Sequence, residues 1–308
     1  MKKQGRYEMK ACGSLIKRNV SMFFKDKATF FTSLCTPIIL LVLYATFLYN
    51  VYEDSFRAAL PEGMPIDDSL IKGLVGGLLL SSLLAVSTVT VPFCANLFMV
   101  QDRVTGARGD LSIAPVKPSS IALGYYVATV INGLIIAFVA LLIGFVYLSI
   151  IGWYLSVADI LLLVLDIVLL VLFGTALSSL ICYPLSSQGA ISAVGTIVSA
   201  GYGFICGAYM PISSFGEGLQ NALVFLPGTH GTSLLRNHAL SGVFEAMLED
   251  GVAEPIVDVF RSIADCKLFF FDGSIERWVM YLVLTGSVAV MLAAFVLIVA
   301  FAERKNRK

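Results

Sequence analysis

Charge is scarce in this chain: Asp, Glu, Lys and Arg make up 14% of its 308 residues, where soluble domains carry about a quarter. Histidine and tryptophan each occur only twice. The six cysteines, at 12, 35, 94, 182, 206 and 266, form no Cys-x-x-Cys pair and have no His cluster beside them. That excludes a metal site and makes a poor disulfide framework, leaving a Cys206–Cys266 bridge as the one open pairing. There is no Gly-Lys dipeptide, hence no phosphate-cradling loop of the Gly-x-x-x-x-Gly-Lys-Ser/Thr type, so this chain is expected to bind no cofactor. No cleavable signal is expected either, because the first apolar run continues for 25 uncharged residues, too long for a signal core.

Long uncharged apolar runs are what the chain has instead, within a composition that is 58% hydrophobic. A helix needs about 20 apolar residues to cross a bilayer core. Spans are expected within 28–52, 73–101, 121–151, from 156–159 to 182, 189–210 and 278–302. Ser156-Val-Ala-Asp159 is a candidate capping box opening the fourth. The expected fold is an all-α integral membrane protein with six transmembrane helices. No His, Glu or Lys falls inside a span, so no catalytic residue is expected.

Charge asymmetry orients these spans. Residues 1–28 hold eight Lys/Arg against two acids, and residues 303–308 four against one. Residues 53–72 hold two bases and five acids, and 211–277 four and nine. Basic segments stay on the cytoplasmic side, so both termini are expected inside and the two acidic segments outside. The chain divides into a surface helix at 1–28, a six-span domain at 29–302 and a cytoplasmic tail at 303–308. The six-span domain has an inner loop at 101–120 and an outer region at 211–277. Residues 7–25 place Cys12, Leu15, Ile16, Val20 and Phe23 on one face and Lys10, Lys17, Arg18 and Lys25 on the other. Such a basic amphipathic helix belongs in the headgroup layer, as an anchor or as an elbow that transmits motion.

The inner loop reads Gln-Asp-Arg-Val-Thr-Gly-Ala-Arg-Gly-Asp-Leu-Ser-Ile-Ala-Pro-Val-Lys-Pro from residue 101. It resembles the inner loop of type-2 ATP-binding-cassette (ABC) export permeases at Asp102, Arg103, Gly106, Leu111, Ala114, Pro115 and Val116, with Asp102 where Glu is common. After the fifth span, Gly207…Pro211-Ile-Ser, then Leu226-Pro227 and Leu235-Arg236, resemble the family's outer motifs, with His230 where an aromatic is usual. The resemblance implies a permease that dimerises, as a homodimer or with a sister permease, and docks a separate cytoplasmic ATPase carrying ATP and Mg. It implies a bacterial plasma-membrane location and a hydrophobic or amphipathic substrate (drug, lipid, glycolipid or peptide). No nucleic-acid partner is expected.

Asp102, Arg103, Gly106, Asp110, Leu111 and Pro115 are the expected ATPase-coupling residues, on a short helix over 102–111 closed by Pro115 and Pro118. Ser87, Thr88, Asn96, Asp166 and Tyr202 are the expected residues of the translocation path, since the resemblance sets spans two and five beside it. Gly73/Gly77 and Gly203/Gly207 have the spacing of close helix approach. Asp166 is the one ionisable residue deep in a span. A central Asp costs about 2.5–3.5 kcal/mol to insert, so it is either hydrogen-bonded structurally or serves substrate or protons. His230 and His238 read as isolated and structural. The outer region is expected to hold re-entrant helices through Leu240 and an acidic helical cap beyond. The rival reading is a secondary transporter or channel without an ATPase, which calls for paired ionisable groups in the spans.

Overall fold

The computed structural model describes residues 2–61, 64, 66–109, 116–271 and 273–306, with side chains for 8–61, 64, 66–109, 116–271 and 273–302. It is overwhelmingly helical. Helix α1 (Lys2–Lys25) ends where Asp26 turns the chain and caps α2 (Lys27–Leu43), accepting from the Ala28 N–H at 3.0 Å. A π-helical turn at Tyr44–Leu48 joins α2 to α3 (Tyr49–Ala58) without a break. Helix α4 (Asp68–Val104) starts on Asp67, and α5 (Pro118–Ile151) starts on a proline, whose missing N–H costs nothing in a first turn. Helix α6 (Val157–Cys182) opens on the complete Ser156/Asp159 capping box, and α7 (Gln188–Ile205) is capped by Ser187. Residues 211–277 hold α8 (Glu217–Val224), α9 (Pro227–Glu249), α10 (Glu254–Ile263) and an antiparallel hairpin, β1 (Leu268–Phe270) with β2 (Gly273–Ile275). Helix α11 (Arg277–Asn306) closes the chain.

Among the described residues, five helical stretches are long and apolar enough to cross a membrane: Lys27–Ala58, α4, α5, α6 and Arg277–Ala302. The expected fifth span is the exception. Its helix, α7, has only 18 residues, a rise of about 27 Å, and it is diluted by Gly189, Gly195, Gly201, Gly203, Ser192 and Ser199. It stops before Met210 because Gly207 turns into the left-handed region, φ +77°, where a side chain would be strained. Gly203 and Gly207 are therefore not an interhelical pair. Gly203 instead lies under the Tyr209 ring, 2.4 Å from where its Cβ would be.

Helix α4 is the hub, 94% buried over its apolar window, whereas the window of α11 is 17% buried. Small residues let neighbours close on it. A Cβ at Gly77 would stand 3.0 Å from the Ala239 carbonyl of α9. Pro92 has no N–H to give the Thr88 carbonyl, and Gly174 of α6 lies against that carbonyl, 2.6 Å from its own would-be Cβ. Helix α9 packs on α4, α6 and α11, so 227–240, nearly half of the apolar stretch from Pro211 to Leu240, belongs to one long buried helix. The acidic half departs from the expected helical cap by adding the hairpin. Cys206 and Cys266 are buried free thiols, so the bridge left open by the sequence is not formed.

Candidate functional site

Three elements converge at the C-terminal end of α4. Arg18, half-exposed on α1, makes a two-armed ion pair with Asp102 at the end of α4, with N–O distances of 2.7 and 2.9 Å. Asp102 is buried, and the Tyr125 hydroxyl of α5 donates to the same carboxylate. Arg18 also donates to Asn19 at 2.9 Å. Hydrogen bonding to Asp102 raises the Arg18 pKa above its ordinary value, against desolvation, so the guanidinium stays charged at any working pH. The apolar face of α1 is pressed on α5, where Leu15 leaves no room for a Cβ at Gly124.

Arg103 points the other way. It donates to the Tyr183 and Leu185 carbonyls just past the end of α6, the latter at 3.0 Å, and lies 4.8 Å over the Tyr183 ring. A cation there meets the negative end of a helix. Arg108 approaches the same ring at 5.6 Å. Asp102 and Arg103 thus belong to the last turn of α4, not to a separate short helix. The first residue able to end the helix is Gly106, with φ +82°; a further helical turn follows at 107–109. Asp110, Leu111 and Pro115 lie outside the described residues.

The expected path residues are buried within the chain. Ser87 and Thr88 bond back to the Leu83 and Ala85 carbonyls at 2.6 and 3.0 Å. Asn96 donates to Ser178 and Ser179 at 2.9 and 2.8 Å, fastening α4 to α6. Tyr202 packs its hydroxyl against Gly228 at the start of α9. Asp166, wholly buried on α6, sits 2.6 Å from His238 Nδ1 of α9 and accepts from the Tyr281 hydroxyl of α11 at 2.8 Å. His238 is therefore not isolated, a correction to the sequence reading; the 72 positions separating the pair hid it. His230 is buried, and burial lowers its pKa, with a bond to the Val224 backbone opposing.

The Gly207…Pro211-Ile-Ser and Leu235-Arg236 motifs, apart in sequence, meet at one buried pair. Arg236 donates to Asp265 at 2.8 Å and to the Gly207 carbonyl at 2.6 Å, while Asp265 accepts the Ile212 and Ser213 N–H groups at 2.7 and 3.3 Å. Burial is the largest single influence and works against the Arg236 charge, but Asp265 together with Tyr52, Tyr44 and Cys266 leaves the pKa raised.

Helix α1 is thus clamped to the C-terminal end of α4 and the start of α5, against a bundle of long apolar helices. Residues 10–239 match the ABC-2 type transporter family. The chain belongs to that family. This ABC-2 protein is accordingly a multi-pass membrane permease component of an ABC transporter. Among curated proteins none matches it. The match runs from α1 into α9, so it takes in the clamp, both arginine contacts and the Asp166–His238 pair.

Arg18 and Tyr125 escaped the sequence reading. Arg18 had been assigned to the headgroup-facing side of α1, and Tyr125 carried no signal. The sequence offers Arg103, directly beside Asp102, as the nearer partner.

Proposed function

We propose that this ABC-2 protein is the membrane half of an ATP-driven exporter, working as a dimer and coupled through its inner loop to a separate ATPase subunit. ATP and Mg belong to that subunit. The reading has six spans, with α7 as the fifth, both termini in the cytoplasm of a bacterial plasma membrane, and α1 on the inner surface. The observation that carries it is the Arg18–Asp102–Tyr125 junction. It ties α1, α4 and α5 at the two roots of the loop, so a push on the loop moves three elements together. Arg103 serves this by holding the loop to the end of α6, while Leu111 and Asp110 are the candidates for the ATPase cleft. The second copy, identical or a sister permease, is supported by the exposed flanks of α2 and α7, including Ile38, Ile39, Val42 and Ile197. A hydrophobic or amphipathic cargo is supported by two apolar cavities. One, of about 440 Å³, is lined by Leu41, Leu79, Leu83 and Tyr147. The other, of about 520 Å³, is lined by Phe47, Tyr52, Phe204 and Met210.

The test is pull-down of the ATPase and substrate-stimulated hydrolysis in membranes for Leu111→Ala and Arg18→Ala. Leu111→Ala is expected to weaken docking, and Arg18→Ala to keep docking but lose stimulation. Unchanged docking and stimulation in both overturn the coupling role. One observation favours a second reading, a proton-linked transporter: the buried Asp166–His238 pair is the kind of ionisable pair such proteins carry. The family assignment weighs against it.

A further inference from the structure

We propose that the outer region holds a phospholipid of the outer leaflet, its zwitterionic, primary-ammonium headgroup seated in a polar cavity behind the β1–β2 hairpin. This rests on the reading above that residues 211–277 face outward.

Chain continuity sets the level of the hairpin. Only Glu276 separates β2 from Arg277, the first residue of a membrane-crossing stretch, so the hairpin stands where α11 enters the bilayer. Its aromatic side chains match that position. Phe269, Phe270 and Phe271 are exposed in succession, Phe271 at 71%, and Trp278 is 66% exposed. Such a run in water would be costly, and at a headgroup boundary aromatic rings are favoured. The hairpin is held in place, since the Phe271 N–H donates to Asn221 of α8 at 2.9 Å. The aromatic edge is therefore presented to the lipid by a braced element.

Behind it lies a cavity of about 620 Å³ that, unlike the two apolar ones, is lined by charge: Arg261, Lys267 and Arg277 with Glu245 and Glu276. Arg261 and Lys267 share Asp258 at 2.9 and 3.0 Å, which fixes their heads while leaving donors over. Arg277 and the two glutamates are exposed. Three bases suit a phosphate, and two carboxylates beside them suit an ammonium, so the lining complements a headgroup that carries both charges. The acyl chains would run from the cavity mouth past Phe269 into the leaflet.

Native mass spectrometry of the whole protein, released from nanodiscs containing equal phosphatidylethanolamine and phosphatidylglycerol, reads occupancy directly. The wild type is expected to retain one phosphatidylethanolamine in preference. The Lys267→Gln/Arg277→Gln variant is expected to retain it roughly tenfold less, the scale for two partly exposed charge contacts. Because a variant can also fail to fold, Trp278 supplies an independent reading. The chain has two tryptophans, so Trp153→Phe isolates Trp278, whose emission should be quenched by lipids brominated near the headgroup. Equal retention by the variant, equal retention of the two lipids, or an unquenched Trp278 each overturns the proposal. An impermeant thiol reagent on Glu249→Cys in intact cells tests orientation separately. If that label fails while retention and quenching hold, the outward reading falls and the lipid site stands on the other leaflet.

Discussion

Arg18 and Asp102, 84 positions apart, close a two-armed ion pair of 2.7 and 2.9 Å between α1 and the C-terminal end of α4. Asp102 is buried and its partner half-exposed, so the two are not equivalent. Removing the arginine strands a carboxylate among protein atoms; removing the acid leaves the arginine access to water.

That asymmetry predicts the order of damage. Arg18→Ala should cost about 2–3 kcal/mol of stability, at the lower end for a broken desolvated charge pair, and Asp102→Asn less, since the amide still accepts from Tyr125. A double-mutant cycle should show coupling of about 0.5–3 kcal/mol. Thermal unfolding of the purified protein in detergent measures both. Additive losses would mean that the pair does not act as a unit.

The Asp166 site separates shape from charge. Asp166→Asn keeps an acceptor for Tyr281 and can donate to a His238 nitrogen, so folding should change by no more than about 1 kcal/mol. Asp166→Leu leaves the Tyr281 hydroxyl and a His238 nitrogen buried without partners, at about 1–3 kcal/mol each. Transport assays on the Asn variant across pH then decide its role: a loss with intact assembly marks a substrate or proton function, and normal transport throughout marks a structural one.

Packing on the hub gives a sharper contrast. Gly174→Ala places a methyl 2.6 Å from the Thr88 carbonyl and 2.9 Å from the Val89 Cα. Backbone cannot step aside as a side chain can, so about 1–3 kcal/mol should be lost. Gly189→Ala meets nothing within 4 Å and should be neutral or slightly stabilising in a helix. Unfolding of the two variants side by side checks this, and equal effects would argue against tight α4–α6 contact.

Orientation is read by labelling intact cells with an impermeant thiol reagent in a background where the native cysteines are replaced. Glu249→Cys, at the exposed end of α9, should react, and Asn306→Cys should react only after permeabilisation. The reverse pattern would put the inner loop outside and remove its access to an ATPase.

The sequence by itself determined the membrane class and the ends of α5 and α6 within a few residues, while orientation stays an expectation. Each depends on local quantities: run length, a capping box at Ser156, charge per segment. It could also point to Asp102, Arg103 and Asp166, because a charge beside or inside an apolar run is conspicuous wherever it folds. Only the tertiary structure decided what those charges do. Arg18 reaches Asp102, His238 and Tyr281 reach Asp166, and Arg236 joins Gly207 to Asp265 across separations no periodicity records. Burial was beyond the sequence too. Ser87, Thr88 and Asn96 are expected along the translocation path, and only the structure shows them buried within this chain, on a helix enclosed on nearly all sides. Hydroxyl and amide groups in a span satisfy themselves on whichever helix lies nearest, and that neighbour is chosen by the close approach at residues such as Gly77 and Gly174, a property of shape in three dimensions.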